Sequence, residues 1–474
     1  MIQLPEIFLQ QMKGLLTTDE FSAFCKSYET PTMRGLRFNN LKTVADSNIV
    51  DFLQLAYKEL PIVPWCPEGR IYPDTERPAK SIFFHAGLFY IQEPSAMCPV
   101  EVLFIDAEND SFPGTNPQPE YRVLDLCAAP GGKSAQIAGH LQGEGLLMSN
   151  DASPSRSRAL VKNLERMGVT NAVVTTEQPK KLADRFPAFF DKILVDAPCS
   201  GEGMFRRDPD AIKAYTANKP EACAAIQTEI VRYAAKMLKP GGRLVYSTCT
   251  FNTQENEGII SAFLKSNLDF SIVPIQHEKL GISQGLGGLP QTARIFPHLA
   301  NGEGHFIALL EKLDEQSEAE PNNTNEFCNP ATIAAIPKEF AEFCRSHIIE
   351  NFPTKGQIVP HGANLYLQPE PLDLRGLRVA RSGWFLGECA KGRFVPSQAL
   401  AMGLRKSDVR YATELSEENA QRYLRGESID ADHILQNETS KPWVMVCHKG
   451  FPLGWARLVQ GRLKNNLPVG WAVS

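Results

Sequence analysis

The chain has 474 residues, which is too long for one compact hydrophobic core, so we expect two or more domains. Hydrophobic residues at 43% and charged residues at 22% are typical of a globular protein, and the apolar runs are too short to cross a bilayer. The net charge of −5 argues against a uniformly basic nucleic-acid-binding protein, but it allows a basic face beside acidic segments.

The N-terminal residues predict a surface helix rather than a secretory signal. They lack a positively charged start and a small-residue cleavage site, and Leu4, Phe8, Met12, Leu15 and Leu16 recur at helical spacing. The eleven cysteines form no C-x-x-C pair, so a structural zinc site has little support. We therefore expect a cytoplasmic protein with no metal, no membrane association and mostly buried thiols.

Two breaks in composition divide the chain. Asn109–Glu120 is rich in turn-forming residues, and Glu311–Glu326 is acidic and nearly free of apolar residues, as exposed linkers are. Strand and helix signals alternate between these breaks. The predicted strands are Tyr121–Leu126, Gly145–Asn150, Ala172–Thr176, Lys192–Val195, Arg243–Thr248 and His305–Leu310, and the predicted helices are Ser134–Leu141, Pro154–Met167, about Glu221–Leu238 and about Thr253–Lys265.

This alternation predicts a largely parallel sheet that is covered by helices on both faces. In such sheets ligands bind beyond the carboxyl ends of the strands. Three sequence motifs follow predicted strands directly, so we expect all three at that edge.

The first motif is Asp125-Leu-Cys-Ala-Ala-Pro-Gly-Gly-Lys133. Two glycines before a helix allow the backbone to approach a ligand, and the acid Asp151 after the next strand suits the hydroxyls of a ribose. An ordinary strand–helix turn would explain the glycines alone, but the spacing to Asp151 favours an adenosine-containing ligand. There is no G-x-G-x-x-G, which argues against a dinucleotide.

The second and third motifs each place a cysteine just beyond a buried strand. Asp196-Ala-Pro-Cys199 follows one strand, and Ser247-Thr-Cys249-Thr follows another. Either cysteine alone is better explained as a packing residue. Two cysteines at equivalent strand ends, one of them beside an acid, favour a reactive pair.

Together CAAPGGK, DAPCSGEGMFRR and YSTCTFNTQENE resemble the RsmB/NOP family of RNA cytosine-5 methyltransferases. MRGLRFNNLK (Met33–Lys42) and GLFYIQEPSAM (Gly87–Met97) are similar to the family's segments ahead of the cofactor domain. The resemblance covers roughly residues 30–312.

The resemblance implies that S-adenosyl-L-methionine is the methyl donor and that no metal takes part. It implies that Cys249 adds to carbon 6 of cytosine, that Cys199 is needed to release the product, and that Asp196 contacts the N3/N4 edge of the base. A free thiol has a pKa of about 8.5, and Lys133 is a candidate for lowering the pKa of Cys249. The implied cofactor-binding residues are Cys127, Ala128, Ala129, Pro130, Gly131, Gly132, Lys133, Asp151 and Asp196. The adenine contact stays open between Glu177 and Gln178.

The implied fold is α/β, with a Rossmann-like S-adenosylmethionine-dependent methyltransferase core, an N-terminal α/β extension and C-terminal RNA-binding domains that include a PUA-like β-barrel. In this last region Pro337–Ile349 predicts a helix, Asn364–Leu367 a strand and Lys449–Gly454 a hairpin. The predicted domains are an N-terminal RNA-binding domain at 1–115, the methyltransferase domain at 116–312, an acidic linker at 313–329, a small intermediate domain at 330–385 and the PUA-like domain at 386–474.

The C-terminal extension is similar to that of family members that act on the small ribosomal subunit. The implied substrate is therefore a cytosine in the decoding-region helix of 16S rRNA within the assembled subunit, methylated by a monomer. A tRNA substrate and a non-catalytic role in ribosome assembly remain alternatives, whereas the Cys249 motif argues against a DNA cytosine-5 methyltransferase. Candidate phosphate contacts are Arg34, Arg37, Lys42, Arg206 and Arg207.

Overall fold

The computed structural model describes residues 3–43, 57, 59–105, 120–216, 219–314, 336–349, 352, 355–431 and 442–473. The turn-rich break at 109–119 and the linker beyond residue 314 lie outside the described residues. Within them, no helix has both the length and the apolar character needed to cross a membrane.

The N-terminal region combines short helices with a four-stranded antiparallel sheet in the order β2-β3-β1-β4. Its elements are α1 (Glu6–Leu15), α2 (Thr18–Ser27), β1 (Met33–Phe38), α3 (Asn40–Thr43), β2 (Ile62–Val63), β3 (Cys66–Pro73), α4 (Ile82–His85), β4 (Phe89–Ile91) and α5 (Cys98–Phe104). The helix predicted at the N-terminus is confirmed as α1, and its Phe8 and Met12 are fully buried.

The central region is built on one large sheet with helices on both faces. Its elements are β5 (Arg122–Asp125), α6 (Gly132–Leu141), β6 (Leu146–Asn150), α7 (Pro154–Arg166), β7 (Ala172–Thr175), α8 (Pro179–Arg185), β8 (Phe190–Asp196), α9 (Pro209–Lys213), α10 (Lys219–Met237), β9 (Leu238–Thr248), α11 (Glu257–Ser266), β10 (Phe270–Val273), α12 (His277–Leu280), β11 (Ser283–Gln284), β12 (Ala293–Ile295) and β13 (His305–Lys312).

The sheet has the order β11-β12-β13-β9-β8-β5-β6-β7, and the five strands β9, β8, β5, β6 and β7 are mutually parallel. The predicted α/β class and Rossmann-like core are confirmed. Because the five strands are parallel, Asp125, Asn150, Asp196 and Thr248 end their strands at one edge, as the motif positions predict. Apolar side chains alternate between two clusters, one on each face of the sheet.

Two predicted boundaries differ from the structure by more than two residues. The helix predicted from about Thr253 begins at Glu257, because the side chain of Asn256 bonds the turn before it. The strand predicted from Arg243 begins at Leu238, so Lys239–Gly242 ends the preceding helix as predicted and is also part of β9, where the pairing with β8 shifts register.

The C-terminal region contains two further sheets, in the orders β14-β15-β17-β18 and β19-β21-β22-β23-β20. Its elements are α13 (Lys338–His347), β14 (Gln357–His361), β15 (Asn364–Gln368), β16 (Val379–Arg381), β17 (Trp384–Ala390), β18 (Arg393–Pro396), α14 (Gln398–Gly403), β19 (Ala412–Glu414), α15 (Glu417–Leu424), β20 (Ile429–Asp430), β21 (Trp443–His448), β22 (Phe451–Val459) and β23 (Arg462–Asn465). The predicted hairpin is confirmed, since β21 and β22 pair around Lys449-Gly450.

The first C-terminal sheet continues through residue 385, which is the boundary predicted between the intermediate domain and the PUA-like domain. One apolar cluster, which contains Phe340, Leu386, Trp443 and Trp455, joins the two C-terminal sheets. In addition, β16, which belongs to the C-terminal region in sequence, pairs antiparallel with β7 and adds an edge strand to the central sheet. The C-terminal region is thus attached to the central sheet by backbone pairing.

Candidate active site

The two predicted reactive cysteines are neighbours at the carboxyl edge of the sheet. Cys199 follows β8 and Cys249 follows β9, and their Sγ atoms are 3.4 Å apart. Both side chains are half-buried. The hydrogen bond with Cys249, followed by burial, raises the pKa of the Cys199 thiol well above its ordinary value.

Direct hydrogen bonds hold the turns that carry the two cysteines together. The hydroxyl oxygens of Ser200 and Thr250 are 2.7 Å apart, and the Gly203 amide donates to the Cys249 carbonyl at 2.8 Å. A Cβ atom at position 203 would lie 2.8 Å from that carbonyl oxygen, so only glycine fits there without displacing the backbone. The distance between the thiols is therefore fixed by the turns.

A polar run after the second cysteine stabilises both turns. Glu255 accepts a hydrogen bond from the Ser200 amide at 2.9 Å, and Asn256 donates to the Thr250 carbonyl at 2.9 Å. Both side chains are fully buried, and burial raises the pKa of Glu255. This run contributes to the family resemblance, but the sequence predicts no role for it. The only sequence feature that could have indicated a role for this run is its position directly after the cysteine motif.

The N-terminal helix α1 packs against the same two turns. The Glu202 carboxylate accepts hydrogen bonds from the Gln11 side chain at 3.1 Å and from the Phe251 amide at 2.9 Å. The rings of Phe8 and Phe205 meet edge to face, with centroids 5.0 Å apart. The apolar face of α1 thus supports the site from outside the central sheet.

Asp196 is surrounded by polar partners beside the thiols. The Lys133 ammonium lies 2.8 Å from Asp196 Oδ2, and the Ser247 hydroxyl lies 3.0 Å from Oδ1. His305 Nε2 is 3.6 Å from the same Oδ1. Burial opposes ionisation of Asp196, but Lys133 and His305 outweigh it and hold the pKa of Asp196 well below its usual range. The Lys133 ammonium was a candidate partner for Cys249, and the structure pairs it with Asp196 instead.

The Gly-Gly turn before α6 is tightly packed. Gly131 has φ of 108°, a left-handed conformation that favours glycine, and a Cβ there would lie 3.0 Å from a methyl carbon of Leu160. A Cβ on Gly132 would lie 3.1 Å from the ring of Tyr90. The fold therefore favours glycine at position 131 independently of any ligand, whereas a side chain at position 132 would require a small shift of the Tyr90 ring.

Two acids flank the Gly-Gly turn. Asp125 Oδ2 accepts a hydrogen bond from the Ser134 hydroxyl at 2.6 Å, and burial raises the pKa of Asp125 to about 7. Its Oδ1 atom is buried and has no hydrogen-bond partner among the described residues. Asp151 accepts from the amides of Ser153 at 2.9 Å and Ala129 at 3.3 Å, which ties it to the turn.

The structure separates the two candidates for adenine recognition. The Glu177 carboxylate is buried and accepts hydrogen bonds from the Arg378 amide at 2.6 Å and the Lys181 ammonium at 2.8 Å. Gln178 is exposed at the start of α8. Glu177 is thus engaged by the C-terminal segment that precedes β16.

The phosphate contacts predicted in the N-terminal region are wrong for two residues. Arg37 is buried and donates to the Gly132 carbonyl at 3.0 Å, so it supports the Gly-Gly turn. Lys42 donates to the Met402 carbonyl at 2.8 Å and so joins the N-terminal and C-terminal regions. Burial lowers the pKa of Lys42 to about 8.

The prediction is also wrong for Arg206, whose side chain is only 8% exposed and forms an ion pair with Glu303 at 2.9 Å. Arg34 remains partly exposed beside Asp74. Arg207 is half-buried. Charge and position in the sequence do not distinguish a buried arginine from one at the surface.

The sheet order and the site at its carboxyl edge are those of Rossmann-like methyltransferases. A solved structure described as a methyltransferase homolog protein from Pyrococcus horikoshii is similar, with 28% identity and a TM-score of 0.51. The similarity covers 65% of this chain and 100% of that one. The predicted methyltransferase core is confirmed.

The chain belongs to the 16S rRNA methyltransferase RsmB/F family, whose sequence profile matches residues 114–311. Further profiles match residues 4–94 as the N-terminal domain of 16S rRNA methyltransferase RsmF, 342–404 as the RsmF rRNA methyltransferase first C-terminal domain and 410–473 as the methyltransferase RsmF PUA domain. The family and the PUA-like domain inferred from the motifs are confirmed.

Full-length relatives are similar over nearly the whole chain. The ribosomal RNA small subunit methyltransferase F of Erwinia tasmaniensis is 34% identical, with 98% of this chain and 96% of that protein covered. The protein of the same description from Shewanella amazonensis is 32% identical, with 99% and 98% covered.

Proposed function

We propose that this protein transfers a methyl group from S-adenosylmethionine to carbon 5 of a cytosine in 16S rRNA through a covalent adduct with Cys249. The observation that carries the proposal is the pair of thiols 3.4 Å apart beside the Lys133–Asp196 ion pair. A single cytosine ring placed over this edge reaches a nucleophile, a second thiol and a charged hydrogen-bonding group. A non-catalytic assembly factor would have no use for this arrangement.

Carbon 5 of cytosine is too weak a nucleophile to be methylated unaided. Addition of the Cys249 thiolate to carbon 6 shifts electron density to carbon 5. S-adenosylmethionine, when bound, supplies the methyl group as a sulfonium. Release then requires loss of the carbon-5 proton and cleavage of the bond between Cys249 and carbon 6, and we assign Cys199 to this release step.

The remaining residues of the site bind and orient the two reactants. Asp196 faces the N3/N4 edge of the cytosine and lies close to the cofactor. The orphaned Oδ1 atom of buried Asp125 fits a cationic amino group, and Asp151 fits the ribose hydroxyls. Because the Glu177 carboxylate is already engaged, we assign the adenine contact to Gln178. The cofactor loop comprises Cys127, Ala128, Ala129, Pro130, Gly131, Gly132 and Lys133.

We further propose that the substrate is the decoding-region helix of 16S rRNA within the assembled small subunit, and that the protein works as a cytoplasmic monomer. The relatives described as ribosomal RNA small subunit methyltransferase F, and the matches to RsmF-specific C-terminal domains, favour this substrate over tRNA. We propose that the target base is flipped out of its stack, at a cost that contacts elsewhere on the RNA must offset.

Trapping of the adduct tests both the chemistry and the substrate. In cells that lack the native gene, Cys199→Ala is expected to accumulate an RNA–protein adduct that survives denaturing electrophoresis, because methyl transfer proceeds but release fails. Cys249→Ala is expected to form no adduct and to transfer no methyl group. Sequencing of the trapped RNA should identify the decoding region of 16S rRNA.

Cys389→Ala is the matched control, since Cys389 is a half-buried thiol on β17 that is distant in sequence from both cysteine motifs. It should retain activity without trapping RNA. An adduct formed by Cys249→Ala would reverse the assigned roles. Trapped tRNA would refute the proposed substrate and leave the chemistry intact.

A further inference from the structure

Three neighbouring strand ends bring polar side chains to the same face of the sheet beside the thiols. Asp196 ends β8, Ser247 lies opposite it on β9, and His305 begins β13, which pairs with β9. Lys133 reaches the cluster from α6. His305 therefore lies next to the group proposed to contact the cytosine, although none of the three motifs includes it.

The imidazole of His305 is in an unusual environment. The side chain is 3% exposed, and Nδ1 lies 3.2 Å from the Gly304 carbonyl oxygen. Nε2 faces Asp196 Oδ1 at 3.6 Å and is a buried atom without a hydrogen-bond partner among the described residues. An unpartnered buried nitrogen reduces stability, so its position beside Asp196 calls for a role.

The neighbours of the ring determine what Nε2 can do. A carbonyl oxygen only accepts hydrogen bonds, so the contact with Gly304 places a proton on Nδ1. In the neutral ring Nε2 then carries a lone pair that faces the carboxylate of Asp196, and this contact is unfavourable because the lone pair and the negative charge repel each other. A second proton on Nε2 makes the ring cationic and converts this contact into an attractive ion pair with Asp196.

Asp196 on its own is a poor proton donor. Although burial disfavours its charged form, the Lys133 ammonium on Oδ2 and the nearby His305 hold the pKa of Asp196 well below its usual range. Cytosine N3 nevertheless gains negative charge as a thiolate adds to carbon 6, and a proton must reach it. A neighbouring imidazole can supply this proton, because histidine is the side chain that most often transfers protons in enzymes.

Among the described residues, the charged side chains next to this histidine other than Asp196 are paired with other groups. Lys133 of α6 is bound to the opposite oxygen of Asp196. Glu303, in the segment before β13, is paired with Arg206. The β9 side chains opposite the start of β13, Ser247 and Thr248, are neutral. Asp196 is the charged partner of His305.

We propose that His305 is a positioning residue that acts through Asp196, holding on Nε2 the proton that Asp196 passes to cytosine N3 when Cys249 adds to carbon 6. The inference rests on the proposed function. In this step the bond between sulfur and carbon 6 forms and ring electrons move to N3. N3 takes a proton from Asp196, and Asp196 takes one from Nε2. On release, water takes up the carbon-5 proton, the double bond between carbons 5 and 6 re-forms as the bond between sulfur and carbon 6 breaks, and the N3 proton returns along the same path.

The test compares pH profiles of single-turnover methyl transfer by the full-length protein. The substrate is small ribosomal subunits from cells that lack the native gene, with S-adenosylmethionine carrying a labelled methyl group. The wild-type rate should show two limbs against pH: a rising limb, because the nucleophile must be a thiolate, and a falling limb, because the relay needs a proton on the imidazole. His305→Gln should be about 100-fold slower near pH 7 and should lack the falling limb.

His305→Asn is a second variant without a titrating ring, and His277→Gln is the matched control. His277 is a half-buried histidine of the same region that contacts the Thr292 carbonyl, and its variant should keep the wild-type profile. Calorimetric affinity for S-adenosylmethionine and the unfolding temperature should change little in the His305 variants. If the affinity and the unfolding temperature of these variants are unchanged, their slower methyl transfer reflects lost proton supply and not disturbed packing.

A His305→Gln rate equal to wild type would overturn the inference. So would a rate that is lower at every pH with the falling limb intact, because that pattern indicates packing alone. In both cases the wild-type protein remains active and the proposed function stands. Wild-type protein that neither methylates the subunits nor forms an adduct would refute the proposed function and this inference together.

Discussion

Asp125 and Asp196 end adjacent parallel strands, yet their surroundings move their pKa values in opposite directions. Asp125 is fully buried and its one hydrogen-bond donor is a neutral hydroxyl, so burial raises its pKa to about 7. For Asp196 the Lys133 ammonium at 2.8 Å outweighs burial and lowers the pKa. The presence or absence of one cationic partner thus separates the pKa values of the two acids.

Asp125→Asn should change the pH dependence of stability. An acid whose folded pKa is raised stabilises the fold fully below its unfolded pKa, and this contribution is lost as pH rises through the folded pKa near 7. The neutral amide should therefore raise the unfolding temperature of the cofactor-free protein at pH 8 by roughly 5 °C, with little effect at pH 4. Thermal unfolding between pH 4 and pH 9 measures this.

The control for this prediction is Asp184→Asn, which alters an exposed acid on α8 and should shift the unfolding temperature little at either pH. A benefit of Asp125→Asn that did not grow with pH would contradict the raised pKa assigned to this buried acid.

At the scale of elements, the short strand β16 connects the C-terminal region to the expected cofactor site. The Thr176 amide donates to the Arg378 carbonyl at 2.8 Å, and the Arg378 amide donates to Glu177 at 2.6 Å. The Asn150 side chain in turn donates to the Glu177 carbonyl at 3.0 Å. The turn that is expected to meet the adenine is thus held partly by a segment some 200 residues further along the chain.

Arg378→Pro removes the amide that donates a hydrogen bond to Glu177. The variant should bind S-adenosylmethionine about 3- to 10-fold more weakly, as expected when part of the free energy of one charge-assisted hydrogen bond is lost. Arg378→Ala keeps the amide and removes only the guanidinium group, which lies 3.4 Å from the Glu177 carboxylate, so its affinity should stay close to wild type. Isothermal titration calorimetry compares the two. Equal affinities would show that β16 does not support the cofactor site.

At the scale of the whole molecule, regions distant in sequence share buried contacts. Helix α1 packs against the turns that carry the cysteines, and Lys42 bonds the carbonyl of Met402. The two C-terminal sheets share one apolar core, so removing the region from residue 386 onward would split the first sheet and expose that core. Substitutions at the surface are therefore a cleaner probe of RNA binding than truncation.

Arg462 and Lys464 are exposed on β23 of the last sheet, within the basic–polar segment Gly461–Pro468. Changing both to Gln should weaken RNA binding and reduce the slope of log affinity against log salt concentration by about 1 for each phosphate that is no longer neutralised. Affinity for S-adenosylmethionine should be unchanged. Filter binding to small-subunit rRNA at several salt concentrations measures the effect.

The same changes at Arg232 and Lys236 of α10 are the matched control, because they remove two charges from the central region. A decrease in RNA affinity equal to that of the β23 variant would mean that net charge, rather than this face, determines binding.

The sequence alone determined the central fold, because alternating apolar strands and helices ended by glycine and proline specify a parallel sheet through local rules. It also located the cysteines, Asp196, Asp151 and the Gly-Gly turn, since each follows a strand directly. Side-chain partners from distant segments were not predictable in this way. Arg37 and Arg206 read as surface charges but are buried, and Lys133 pairs with Asp196 instead of a thiol.

Only the tertiary structure brought His305, Glu255 and β16 to the site. His305 and β16 come from segments outside the motifs, and Glu255 lies in the run after the cysteine for which the sequence predicts no role. Strand pairing and packing between distant residues determine where all three lie. The tertiary structure also set the 3.4 Å between the thiols, because that distance depends on bonds between two turns about 50 residues apart. Local sequence determines which elements form, whereas long-range contacts determine which side chains meet.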